Sequence, residues 1–186
     1  MNTIGKFAVW GAIGFGVGGA IGGAVMLAFD VPALVMPLFG AIGGIALGLA
    51  LKEWKRAVLL ALAGAIGLLC GQLLAFGVGY FIVVERGLLS SVAPLISGTV
   101  MGAIVGALLA LALKDWKGVG LLALAGAIGF SIAMLGYDGV IRGLDLHLSY
   151  ALRQETQLAI WGLIGGAFLG AALGYLWERR TSHGSS

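Results

Sequence analysis

The chain has 186 residues, of which 60% are hydrophobic and only 10% charged, with a formal net charge of +3. Its mean hydropathy is +1.07. No water-soluble fold of this size hides that much apolar surface, so the solvent is lipid.

Barrel strands alternate apolar and polar residues over about 10 positions. These stretches do not alternate, and an open sheet would leave backbone groups unpaired in lipid. The expected class is therefore an all-α membrane protein. The charges fall in clusters, and the apolar stretches between them are about 20 residues long, enough to cross roughly 30 Å of hydrocarbon. Six transmembrane helices are predicted over 7–29, 33–51, 57–84, 88–113, 119–137 and 157–177.

The first span carries a ladder of Gly14, Gly18 and Gly22, with Gly19 and Gly23 beside it. Residues four apart share a helical face, so a ladder is a groove without side chains. Two such faces imply two close partners. The span is too long and too glycine-rich for a signal-peptide core, and Ala24 to Asp30 offers no cleavage site; it reads as a retained anchor. Gly14-Phe-Gly-Val-Gly-Gly partly matches a dinucleotide fingerprint. That motif needs a strand, a turn and a helix, and here the run lies inside one apolar segment.

The second span continues with Gly40, Gly44 and Gly48. The third holds Cys70, which is alone and reads as a small buried hydrophobe. It also holds Gln72, the strongest polar group at depth and the candidate polar contact, either lining a pore or bonding between helices. The fourth span has Gly98, Gly102, Gly106 and Ala110 in ladder; the sixth has Gly162, Gly166, Gly170 and Gly174. Ser97, Thr99 and Ser131 are expected to bond back to their own helices. Between the fifth and sixth spans, Leu144, Leu148 and Leu152 have helical spacing. The segment from Asp138 to Thr156 is thus expected to be a short interfacial helix, with a solvated connector as the other reading. The polar tail 181–186 is expected to be disordered.

The chain repeats itself. Leu49-Ala-Leu-Lys-Glu-Trp-Lys55 recurs as Leu111-Ala-Leu-Lys-Asp-Trp-Lys117, an offset of 62 residues (49 to 111). Leu-Leu-Ala-Leu-Ala-Gly-Ala-Ile-Gly follows both, at 59–67 and 121–129. The expected unit is a hairpin of two spans used three times, over 7–51, 57–113 and 119–177, within one transmembrane domain, 1–180. Same-orientation repeats are related by an axis along the membrane normal. A pseudo-three-fold bundle with glycine-zipper packing follows. Glycine inside a helix costs about 1 kcal/mol relative to alanine, and apolar burial gives little between helices already in lipid. Close backbone packing is the offsetting gain.

Lys6, Lys52, Lys55, Arg56, Lys114, Lys117, Arg179 and Arg180 collect on one side, and Arg86, Arg142 and Arg153 on the other. The positive-inside rule makes both termini cytoplasmic, and a bacterial inner membrane is the expected setting. The basic residues form juxtamembrane collars that suit anionic headgroups, so no nucleic-acid partner is expected. Trp54, Trp116 and Trp177 lie in or beside the collars as interfacial anchors.

No Asp, Glu, Lys, Arg or His lies well inside a predicted span, and no metal-ligand or nucleophile spacing occurs. The chain is therefore read as no enzyme, without cofactor or metal. A non-catalytic scaffold or accessory subunit is expected, packing with itself or with a partner membrane protein. The alternative is a passive channel or carrier for a small solute along the axis. A channel needs an opening there; a scaffold needs a filled axis.

Overall fold

The computed structural model describes residues 2–29, 31–81, 92–143 and 150–183. Among the described residues the chain is helical, with no strand. The helices are α1 (Thr3–Phe29), α2 (Pro32–Ala50), α3 (Trp54–Tyr80), α4 (Ala93–Ala112), α5 (Val119–Gly143) and α6 (Tyr150–His183). Five are long and apolar enough to cross a membrane; the apolar part of α2, Leu34–Ala50, is shorter.

Local chemistry sets several helix ends. The Asn2 side chain caps α1 by accepting the Gly5 N–H at 2.8 Å. Pro32 and Pro94 stand in the first turns of α2 and α4, where a missing N–H leaves no helical bond unmade.

The other ends of α2 and α4 stop alike. Lys52 and Lys114 adopt left-handed backbone, with φ of 58° and 55°. The Leu51 N–H reaches the Leu47 and Gly48 carbonyls at 3.3 and 3.1 Å, and the Lys52 N–H reaches Leu49 at 2.9 Å. At the duplicated positions, Leu113 reaches Leu109 and Ala110 at 3.3 and 3.1 Å, and Lys114 reaches Leu111 at 2.9 Å. The repeated words of sequence thus fold into the same turn.

The two connections then part. Behind Lys52, Glu53 is extended and α3 starts at Trp54. Behind Lys114, the Asp115 N–H returns to the Ala110 carbonyl at 3.0 Å, and Asp115 Oδ1 accepts the Gly118 N–H at 3.0 Å. That extra turn delays α5 to Val119.

Each helix packs against its neighbours in chain order, and α6 returns to α1, closing a ring. The middle of the ring is filled. Phe15 of α1 meets Phe39 of α2 edge-on, with centroids 6.0 Å apart and planes at 72°. Phe39 then reaches Phe130 of α5 at 6.4 Å. Helices α2 and α5 are not ring neighbours, so this contact crosses the interior. All three rings are fully buried, together with Leu47, Leu68, Met101, Leu109 and Leu169.

Two sequence expectations change at the helix ends. Helix α5 runs on to Gly143 and α6 begins at Tyr150, so most of 138–156 extends these two helices instead of forming a separate interfacial one. The remainder, 144–149, lies outside the described residues. Leucines at helical spacing do not distinguish a separate helix from the first turns of a longer one. The Tyr137 hydroxyl donates to the Arg153 carbonyl at 2.7 Å and ties the extensions together. Of the tail 181–186, expected to be disordered, α6 includes 181–183, ending at His183, and 184–186 lie outside the described residues. The Thr181 hydroxyl bonds back to the Glu178 carbonyl at 2.9 Å, and Ser182 to Arg179 at 3.0 Å. The expected ends of the third and fourth spans, at 84 and 88, lie outside the described residues.

Candidate functional site: helix contacts and the basic face

The glycine ladders meet the chain's own backbone. A Cβ added at Gly40 would strike the Gly64 carbonyl, and one at Gly64 would strike that of Gly40. Gly102 and Gly126 stand in the same reciprocal relation, as do Gly166 and Gly11. One turn further along, Gly44 faces the Leu60 carbonyl, Gly106 that of Leu122, and Gly170 that of Phe7. Gly48 lies against Ala57, Gly98 against Phe130 and Ser131, Gly162 against Phe15, and Gly174 against Ile4. The three closest interfaces are therefore α2 with α3, α4 with α5, and α6 with α1.

Helix α1 uses two faces. Gly14, Gly18 and Gly22 lie against Ala46, Phe39 and Val35 of α2. Gly11, Gly19 and Gly23 lie against Gly166, Leu158 and Glu155 of α6. Gly77, Gly120 and Gly136, which belong to none of the predicted ladders, face open space.

Polar contacts at depth are few. Gln72 is half-buried on α3 and forms no hydrogen bond with another described residue. The interhelical bond lies elsewhere. Ser131 of α5 is 7% exposed, its Oγ stands 2.8 Å from Thr99 Oγ1 of α4, and it reaches the Leu95 carbonyl at 3.3 Å. Thr99 also bonds its own helix at Leu95, at 2.8 Å. Ser131 was expected to bond within its helix, but the glycine contact at Gly98 brings α4 close enough for its hydroxyl to cross. Sequence reasoning missed Ser131 and Tyr137 as interhelical contacts. A signal existed: at the 62-residue offset they replace Leu69 and Ala75, so both are departures from the repeat. Trp161 Nε1 is buried with no hydrogen-bond partner among the described residues.

On the basic face, the Lys6 ammonium donates to the Ala50 carbonyl at 3.2 Å, tying α1 to the end of α2. Arg56 pairs with Glu53 at 2.7 Å and lies 5.1 Å from the Trp177 ring centroid of α6. Arg180 pairs with Asp115 at 2.9 Å, and the Asp115 side chain is only 12% exposed. The last turns of α6 thus touch both connections. Among the described residues no cluster of three His, Cys, Asp or Glu side chains is placed to hold a metal ion. Cys70 is a free, half-buried thiol.

Comparison with protein-family models, with curated proteins and with solved structures finds no match to this chain.

Proposed function

We propose that the chain is a non-catalytic membrane scaffold or accessory subunit, built as a pseudo-three-fold glycine-zipper bundle. The observation that carries this reading is the filled interior. Three phenylalanines join α1, α2 and α5 across the ring, and the side chains above and below are apolar. Among the described residues the phenylalanine layer leaves a solute no room and Ser131 is the one buried polar side chain, which weighs against the channel or carrier alternative.

The reciprocal glycine pairs favour a different repeat unit from the hairpins drawn by the loops. Each unit joins an even-numbered helix to the odd-numbered one after it, and the chain's own ends supply the third through α6 and α1. The ladders are then consumed inside the molecule. Partners or a second copy would meet the outer surface, where Ile13, Leu62, Leu73, Leu124 and Leu163 are exposed. The positive-inside rule places the basic face in the cytoplasm, with a bacterial inner membrane as the setting.

Isolation from native membranes in mild detergent tests the proposal. The expected result is a stable complex with a partner or a second copy. Liposomes containing the purified protein should pass neither ions nor small neutral solutes. A lone monomer that conducts or carries a solute would overturn the reading.

A further inference from the structure

A cavity of about 420 Å³ opens on the basic face between α1, the end of α2 and α6. Ligand pockets are typically about 300–1,000 Å³, so one headgroup fits. Lys6 and Lys52 line it, with the side chains of Asn2, Thr3 and Thr181 around them. Among the described residues no carboxylate lines it. Glu53, next in sequence to Lys52, is taken by Arg56 at 2.7 Å. Lys6 spends one of its three donors on the Ala50 carbonyl at 3.2 Å, leaving two. Lys52 has no ion-pair partner among the described residues and is held by its left-handed turn at the cavity rim.

We infer that this cavity binds the phosphate of an anionic glycerophospholipid headgroup between Lys6 and Lys52. Two cations without a facing acid among the described residues call for an anion, and the Thr3 hydroxyl and the Asn2 side-chain N–H groups suit phosphate oxygens. The rest of the lining chooses lipid over a soluble phosphate. Phe7, Leu51 and Trp177 give the cavity an apolar side, and tryptophan at the end of a membrane helix sits at headgroup level. The site belongs to one corner of the ring. The register that pairs Gly11 with Gly166 and Gly64 with Gly40 puts Leu59 of α3 where α1 has Lys6. The turn at Lys114 repeats that at Lys52, but Leu59 takes the place of Lys6, and the basic residues of that corner, Lys55 and Arg56, hold the register places of Asn2 and Thr3.

The test uses the full chain in mild detergent, with native mass spectrometry reading bound lipid. Dioleoylphosphatidylglycerol and dioleoylphosphatidylcholine are offered at equal concentration, and inorganic phosphate alone in a separate arm. One phosphatidylglycerol should be retained in preference. Lys6→Gln with Lys52→Asn should lower its affinity roughly fivefold per lysine. Asparagine tolerates the left-handed backbone, so Lys52→Asn alone still reads the site if the double variant does not fold. Lys6→Arg should keep the preference, and so should Lys117→Gln in the other connection. Equal retention of the two lipids overturns the inference. Equal loss in Lys117→Gln does so too, because the collar charge as a whole would then be responsible. Inorganic phosphate bound as tightly as phosphatidylglycerol also overturns it, since the acyl chains would then contribute nothing.

Discussion

The ring contains two kinds of helix interface. Between α2 and α3, α4 and α5, and α6 and α1, backbone meets backbone: Gly40 faces Gly64, Gly102 faces Gly126, and Gly166 faces Gly11. Between α1 and α2, α3 and α4, and α5 and α6, the glycines meet side chains and backbone alike, with no reciprocal glycine pair. Gly43 receives the Phe15 ring, Gly71 lies against Met101, and Gly165 receives the Phe130 ring. The first kind gains dispersion along the whole helix; the second holds the large residues that fill the centre. In lipid, apolar residues face apolar solvent outside and apolar neighbours inside, so apolarity alone does not choose a face. Absence of a side chain does.

The sharpest way to break this contrast is to fill a reciprocal pair. Gly102→Leu or Gly166→Leu puts a branched side chain onto a facing carbonyl, which only separation of the helices relieves. Each should cost more than about 3 kcal/mol, beyond ordinary overpacking. Thermal unfolding in mild detergent would show it, and unchanged melting would sink the assignment of these interfaces. Gly67→Ala, between α3 and α4, is the gentler counterpart. Its Cβ would meet Val105 at 3.1 Å, a gap that a small shift can open. Its cost should stay below about 1 kcal/mol, because alanine is also the better helix former.

The connections give a second contrast. Asp115 accepts the Gly118 N–H and pairs with Arg180 while 12% exposed. Glu53 pairs with Arg56 across one helical turn, with both side chains a third or more exposed. Asp115→Ala should cost about 1–2 kcal/mol, as loss of a turn-capping carboxylate does. Glu53→Ala should cost no more than about 0.5 kcal/mol. Equal melting of the two variants would show that the α6 contact adds nothing. In the opposite direction, Gly136→Ala meets open space and should stabilise by about 0.5–1 kcal/mol, since no close contact offsets the glycine's backbone freedom.

How much of this was legible in the sequence follows from what each feature depends on. The spans and ladders depend on runs and four-residue spacing, and both appear directly in the chain. The turn at Lys52 and Lys114 was legible only as a repeat. Lysine gives no sign of left-handed backbone, where glycine or asparagine would. The pairing of helices was not legible, because loops join α1 to α2 as visibly as α2 to α3. Only glycines facing across an interface distinguish the two, and a sequence does not say which glycine faces which. Gln72 drew attention because it is the largest polar group at depth, whereas the bond that joins α4 and α5 uses the smaller Ser131. Size sets how noticeable a residue is; the distance between backbones sets whether it reaches a partner.

That last difference yields the smallest expected effects. Ser131→Ala removes the 2.8 Å contact to Thr99 and the 3.3 Å contact to Leu95. Hydrogen bonds between membrane helices contribute about 0.6 kcal/mol on average, and Thr99 keeps its own bond to Leu95 at 2.8 Å. The loss should therefore be about 0.6 kcal/mol, and a Thr99→Ala, Ser131→Ala double-mutant cycle should return a coupling of that size. Gln72→Leu removes no bond to a described residue, so its effect on melting should be zero or slightly stabilising. A larger loss from Gln72→Leu than from Ser131→Ala would reverse the ranking. It would mean that a polar group on the flank of α3 holds the ring together more than the hydroxyl that crosses from α5 to α4.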